Sequence, residues 1–175
     1  GADGRPASRD LGAARGMVRD GIGALLDYAR AARMPLAIEP LHPMYAADRA
    51  CVNTLAQAND LCDELAPGDG AALGVAVDVY HVWWDPSLER EIARAGRHGR
   101  LHAYHLCDWL VPTTDLLNDR GMMGDGVIDL PRLRGWMTAA GYDGMHEVEL
   151  LSTRWWAEDG DHVLRTCKAR HLDSS

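Results

Sequence analysis

Four residues with metal-binding side chains stand at wide intervals in the sequence: Glu39, Asp78, His105 and Glu149. The gaps of 39, 27 and 44 residues are each close to one strand-helix unit with its loops. Every one of the four also lies at the end of a short apolar run. Three carboxylates and one imidazole make a hard, oxygen-rich donor set suited to one divalent cation, Mn²⁺, Mg²⁺ or Co²⁺, with Zn²⁺ as a further candidate. A lone acidic residue at a strand end is more often a helix cap or a solvating group. Four at equivalent places carry more weight, because gathering uncompensated carboxylates is costly and a cation removes the repulsion.

The elements that must position these residues follow from the apolar pattern. Ser8-Arg9-Asp10 opens a helix with Leu11, Met17, Ile22, Leu25, Leu26 and Tyr28 on one face, ending near Arg33 before Pro35. Residues 36–39 read as a buried strand ending in Glu39, followed by a turn-rich stretch. Asn53 is the expected cap of a helix over 54–65, built on Leu55, Ala58, Leu61, Cys62 and Leu65. A second strand, 73–78, ends in Asp78, and Asp85-Pro86 is the expected cap of a helix ending near Gly96. The third strand, 101–106, holds His102 and His105. After it comes a loop of about twenty residues, without secondary structure of its own, a length that usually signals function. Asp129 caps a helix to Ala140, a fourth strand over 145–150 carries Glu147 and Glu149, and a last helix spans 161–171. Alternating strands and helices mean an α/β fold with a parallel sheet, and right-handed crossovers bring all strand C-termini to one edge.

Composition narrows the partners. With 175 residues the chain reads as a single domain, and a net charge of −8 argues against a phosphate backbone as ligand, leaving small molecules and cations. No apolar run approaches the ~20 residues that cross a bilayer. The first ten residues show no basic segment followed by an apolar one, so a cytoplasmic location is expected. Cys51, Cys62, Cys107 and Cys167 are irregularly spaced and read as free thiols. Cys107 reads as a packing residue rather than a nucleophile.

Several short motifs accompany the four residues: Ile38-Glu39-Pro40-Leu41-His42-Pro43, Asp78-Val79-Tyr80-His81, His105-Leu106-Cys107-Asp108, Gly124-Asp125-Gly126-Val127-Ile128-Asp129, and Gly141-Tyr142-Asp143-Gly144 before Glu149. In this order and spacing the sequence, over residues 10–151, resembles the xylose isomerase-like TIM barrel superfamily of sugar phosphate isomerases and epimerases, which also includes endonuclease IV. The resemblance implies a partial (β/α)₈ TIM barrel made of about four C-terminal βα units. It implies that Glu39 and Glu149 ligate the metal together with Asp78 and His105. The same two glutamates would be the acid/base pair for proton transfer beside a carbonyl, through a metal-stabilised enediolate of a sugar or hydroxy-ketone. By the same resemblance His81 hydrogen-bonds a substrate oxygen and Arg120 neutralises charge on the substrate.

Other assignments stay open at this stage. His81 also fits a structural histidine, and Arg120 a surface cation. Glu147 points to the same side of its strand as Glu149 and competes for the ligand role. His42 and the pair Trp83-Trp84 are candidates to line the pocket, and Asp108 to orient His105 from behind. A full barrel takes about 250 residues, so four strands here leave the first four absent. The expectations are a fragment, or a half-barrel completed by a second copy of the chain, with little activity as an isolated monomer. Two competing readings are an endonuclease IV-like DNA repair nuclease, suggested by Asp78 with His81, and a non-catalytic remnant of the barrel.

Overall fold

The computed structural model describes residues 10–174. Ser8 and Arg9 of the expected helix start, with the rest of residues 1–9 read for a leader, lie outside them. Asp10 caps α1 (Leu11–Ala32): its Oδ1 accepts from the backbone N–H groups of Gly12 at 2.8 Å and Ala13 at 3.2 Å. Those donors have no partner within the first turn, which is why a short polar side chain is favoured there. Arg33 closes the helix in the left-handed region at φ 54°.

Strands and helices then alternate as β1 (Leu36–Ile38), α2 (Leu55–Leu65), β2 (Leu73–Asp78), α3 (Val79–Val82), α4 (Leu88–Arg97) and β3 (Leu101–Leu106). A small ribbon follows, β4 (Asp108–Trp109) with β5 (Arg120–Gly121), and then α5 (Leu130–Ala139), β6 (His146–Val148), α6 (Thr153–Trp156) and α7 (Gly160–Ser174). Strands β1, β2, β3 and β6 form one sheet in that order, parallel throughout. This is the expected α/β fold, the parallel sheet of a partial TIM barrel.

β2 is buried at every position, as a central parallel strand covered on both faces must be. α2 packs on β2 and α4 on β3, and the two helices also meet each other. Leu55, Ala58 and Cys62 from α2 join Leu88, Ile92 and Ala95 from α4 in the core. Fully burying a side chain such as Leu55 or Ile92 contributes about 2 kcal/mol. Behind this seam Arg100, 1% exposed, donates to Asp63 Oδ1 at 2.5 Å, and Asp63 also pairs with Arg94.

Local details depart from the sequence reading. Thr54, not Asn53, caps α2 by accepting from Gln57 N at 3.2 Å. Asn53 instead spans the preceding loop, donating to the carbonyls of Leu41 and Ala50. Asp85 does not cap α4: it accepts from Ser87 N, and the helix begins only at Leu88. The loop after β3 is not structureless, since β4 and β5 pair antiparallel within it. His102 lies at the strand-start end of the sheet, its ring nitrogens 3.1 Å from Leu36 O and 2.7 Å from Gly70 O. Gly74 makes room for that ring: a Cβ there would stand 2.7 Å from it.

Candidate metal centre

Because the four strands run the same way, their C-terminal ends share a rim. Asp78 ends β2 and pairs with His105 of β3, while Glu39 and Glu149 each lie one residue beyond β1 and β6. One ligand atom from each of Glu39, Asp78, His105 and Glu149 lies within 4.8 Å of the other three. His105 Nδ1 stands 3.3 Å from Glu39 Oε1 and 3.8 Å from Glu149 Oε2. It is buried and makes no aligned hydrogen bond to either. A buried ring nitrogen that faces two carboxylates without an aligned hydrogen bond to either has the geometry of an unused metal ligand.

Charge supports the same fit. Arg120 is 4% exposed, and its Nη1 donates to Asp78 Oδ2 and Glu149 Oε2, both at 2.9 Å. Three carboxylates against one permanent guanidinium leave a double negative charge, which one divalent cation balances. Arg120 also stacks over the Tyr80 ring, 4.5 Å from its centroid. It is therefore no surface cation, and its hydrogen bonds go to the cluster itself. Glu147 approaches His105 from the other side, with Oε2 3.9 Å from Nε2, and its side chain is 71% exposed. The structure gathers Glu149 into the cluster and leaves Glu147 outside it.

The ionisable groups are driven apart. Burial pushes the Glu39 carboxyl up, but the contact and charge of His105, with His81 and Arg120, outweigh it and leave Glu39 below its ordinary value. Glu149 moves the other way: burial, then its contact with Asp78, raises it against the opposing charge of Arg120. Burial also raises Asp78, again opposed by Arg120. His105 is raised by its contact with Glu39.

His81 is buried beside the cluster. The backbone N–H of His42 donates to its Nδ1 at 3.1 Å, and its Nε2 lies 3.7 Å from Asp78 Oδ2 and 3.2 Å from Arg120 Nη2. Burial and the charge of Arg120 push its pKa down to about 4. His42 is likewise lowered to about 4, chiefly by burial. Its ring lies 4.9 Å from that of Trp109 and 5.8 Å from that of Trp84. Trp83 also packs on Trp109, so the aromatic residues form one wall beside the rim.

Asp108 does not orient His105; its carboxylate accepts instead from backbone N–H groups of the following loop. Nothing in its residue type or spacing distinguishes the two roles, although the glycines of Gly124-Asp125-Gly126 are the partner signal. Cys107 is fully buried, and burial raises its thiol well above its ordinary value, which fits packing and not nucleophilic attack. Asp125 is engaged with Arg170 at 2.8 Å.

Comparison with known proteins gives a consistent pattern. The sequence profile of the xylose isomerase-like TIM barrel family matches residues 1–167. Protein SMc04130 from Sinorhizobium meliloti 1021 is 58% identical, with a TM-score of 0.92 over 97% of this chain and 60% of its own. The IolI protein with a bound zinc atom superposes with a TM-score of 0.76 at 19% identity, covering 97% of this chain and 59% of that one. The 3-keto-D-glucoside 4-epimerase YcjR from E. coli gives 0.69 at 23% identity, over 94% and 55%. The chain thus spans little more than half the length of these structures. No curated protein matches it.

Proposed function

The chain belongs to the xylose isomerase-like TIM barrel family, and on that premise we propose that Glu39, Asp78, His105 and Glu149 hold one divalent cation in a sugar or sugar phosphate isomerase or epimerase. The observation that carries this reading is the convergence of four donor atoms within 4.8 Å, one of them a buried imidazole nitrogen that makes no aligned hydrogen bond. The zinc in IolI supports it at the level of the fold, and the epimerase activity named for YcjR supports the reaction class.

When bound, the cation supplies Lewis-acid stabilisation of the negative charge that develops on the substrate oxygens. The chain's own residues do the rest. Glu39, held ionised by His105, takes a proton from the carbon beside a carbonyl. Glu149, whose carboxyl is raised, returns one at Oε2. Two carboxylates with environments that separate their proton affinities are what such an exchange needs. His81, whose Nε2 faces the cluster, hydrogen-bonds a substrate oxygen. Arg120 holds Asp78 and Glu149 in place and fixes the net charge of the site. His42 with Trp84 and Trp109 bounds the space beside it.

The test is Mn²⁺ titration by calorimetry of the wild type and Glu149→Gln, followed by turnover of a ketose and aldose panel in deuterated water. Binding near one ion per chain, weakened at least tenfold by the substitution, and deuterium in the product are expected. Absence of Mn²⁺ binding would overturn the reading, and turnover without deuterium uptake would overturn the proton-transfer step.

A further inference from the structure

The Gly124-Asp125-Gly126 motif has no part in the chemistry above, yet it closes on a buried carboxylate next to the rim. Asp108 is 1% exposed, and its two oxygens take four backbone N–H groups. Oδ1 accepts from Trp109 at 2.8 Å and Ile128 at 3.0 Å, and Oδ2 from Gly124 and Gly126 at 2.9 Å each. The glycines are required by this closure. Gly124 has φ +85°, and a Cβ on Gly126 would collide with the Trp109 carbonyl and with Asp108 itself. Val127 N adds a bond to Trp109 O at 3.1 Å.

This clasp fixes where Arg120 starts. Asp108 pairs with Gly121 and Trp109 with Arg120, so the residue that makes the clasp is in the ribbon that carries the guanidinium. A two-residue pair of strands has little stability of its own. It is held here by Asp108 on one side and by the segment after Glu149 on the other. There Arg120 N donates to Leu151 O at 3.1 Å and Thr153 N to Asn118 O at 2.9 Å. Arg120 Nη1 touches both Asp78 and Glu149 at 2.9 Å, and a displacement of about 1 Å takes both contacts beyond hydrogen-bond range.

We infer that Asp108 is a positioning residue for the cation site, acting through Arg120: its clasp on the 124–128 turn sets the guanidinium that aligns two of the four donors. The inference rests on the metal reading given above. It also commits this loop to being a fixed frame for the rim.

Asp108→Asn tests it, because the amide keeps the shape while turning an NH₂ toward two N–H donors. Mn²⁺ affinity is measured by calorimetry for wild type, Asp108→Asn, Arg120→Lys, which keeps the charge and loses the fork geometry, and the double variant. Each single substitution is expected to weaken binding by about tenfold or more, and the double variant to bind no worse than Arg120→Lys alone, since both remove one device. Additive losses, or wild-type affinity in Asp108→Asn, would overturn the inference. If Asp108→Asn does not fold, as judged by circular dichroism, Gly126→Ala takes its place in the cycle with the same two outcomes. Failure of the wild type to bind Mn²⁺ would instead defeat the metal reading, so the two failures are distinguishable.

Discussion

His81 should make the protein acid-sensitive by an amount that can be worked out. The residue is 3% exposed, and burial with the charge of Arg120 brings its pKa from 6.5 to about 4. In the unfolded chain the ring takes up a proton as the pH falls through its ordinary value, whereas the folded ring stays neutral until about 4. Its contribution to stability is therefore complete above pH 6.5 and is lost progressively down to about 4. The whole window corresponds to about 3 kcal/mol, of which about 2 kcal/mol is gone near pH 5. His81→Gln removes the titration and keeps a polar group of similar reach. Urea unfolding near pH 7.5 and near pH 5, in the presence of a chelator, reads the difference. With a slope of about 2 kcal/mol per molar urea, the wild-type midpoint should fall by about 1 M more than that of the variant. His42 works in the same direction and His105 in the opposite one; both remain in the variant, and the His42 shift, chiefly from burial, loses only its smaller contribution from His81. Equal falls in wild type and variant would refute the reasoning.

Metal affinity should decline as the medium is acidified from a pH above 6.5, because His105 and Glu149 both hold their protons more tightly than usual; calorimetry in buffers of different ionisation enthalpy should show proton release on Mn²⁺ binding, and a flat profile would contradict the assignment. Asp63→Ala leaves the 1%-exposed Arg100 without its partner, but the Asp63 side chain is 43% exposed and water screens the pair, so the cost in denaturant unfolding should be about 1–2 kcal/mol, with part of it recovered in Asp63→Leu/Arg100→Met. A thiol reagent should label Cys51 and Cys167 in the native protein and reach Cys62 and Cys107 only on unfolding, since both are buried and burial raises the Cys62 thiol to about 11 and that of Cys107 well above its ordinary value. Rapid native labelling of all four would show a looser core.

The periodic parts of the fold are legible in the sequence. β2 is a run of buried apolar residues bounded by a carboxylate, and α2 repeats its core positions at helical spacing, so both declare themselves locally. The gathering of Glu39, Asp78, His105 and Glu149 follows from strand direction alone. The ribbon β4–β5 does not announce itself, because two residues cannot show an alternation. The partners of Asp108, Arg120 and His102 are set by contacts that are distant in sequence or made to backbone groups, and only the glycines that permit them, Gly124, Gly126 and Gly74, mark them in residue type. Thr54 and Asn53 are both good caps, and only the course of the preceding loop decides between them.

His102, seated over Gly74, ties the sheet together at the end opposite to the carboxylate cluster. Gly74 and Asp78 are four residues apart on one strand, about 13 Å at ~3.3 Å per residue. Substitutions that far apart combine independently. An engineer can therefore harden the molecule around His102, Arg100 and Asp63 against heat while diversifying the wall of His42, Trp84 and Trp109 for new ligands. Gains made at one end need not be surrendered at the other.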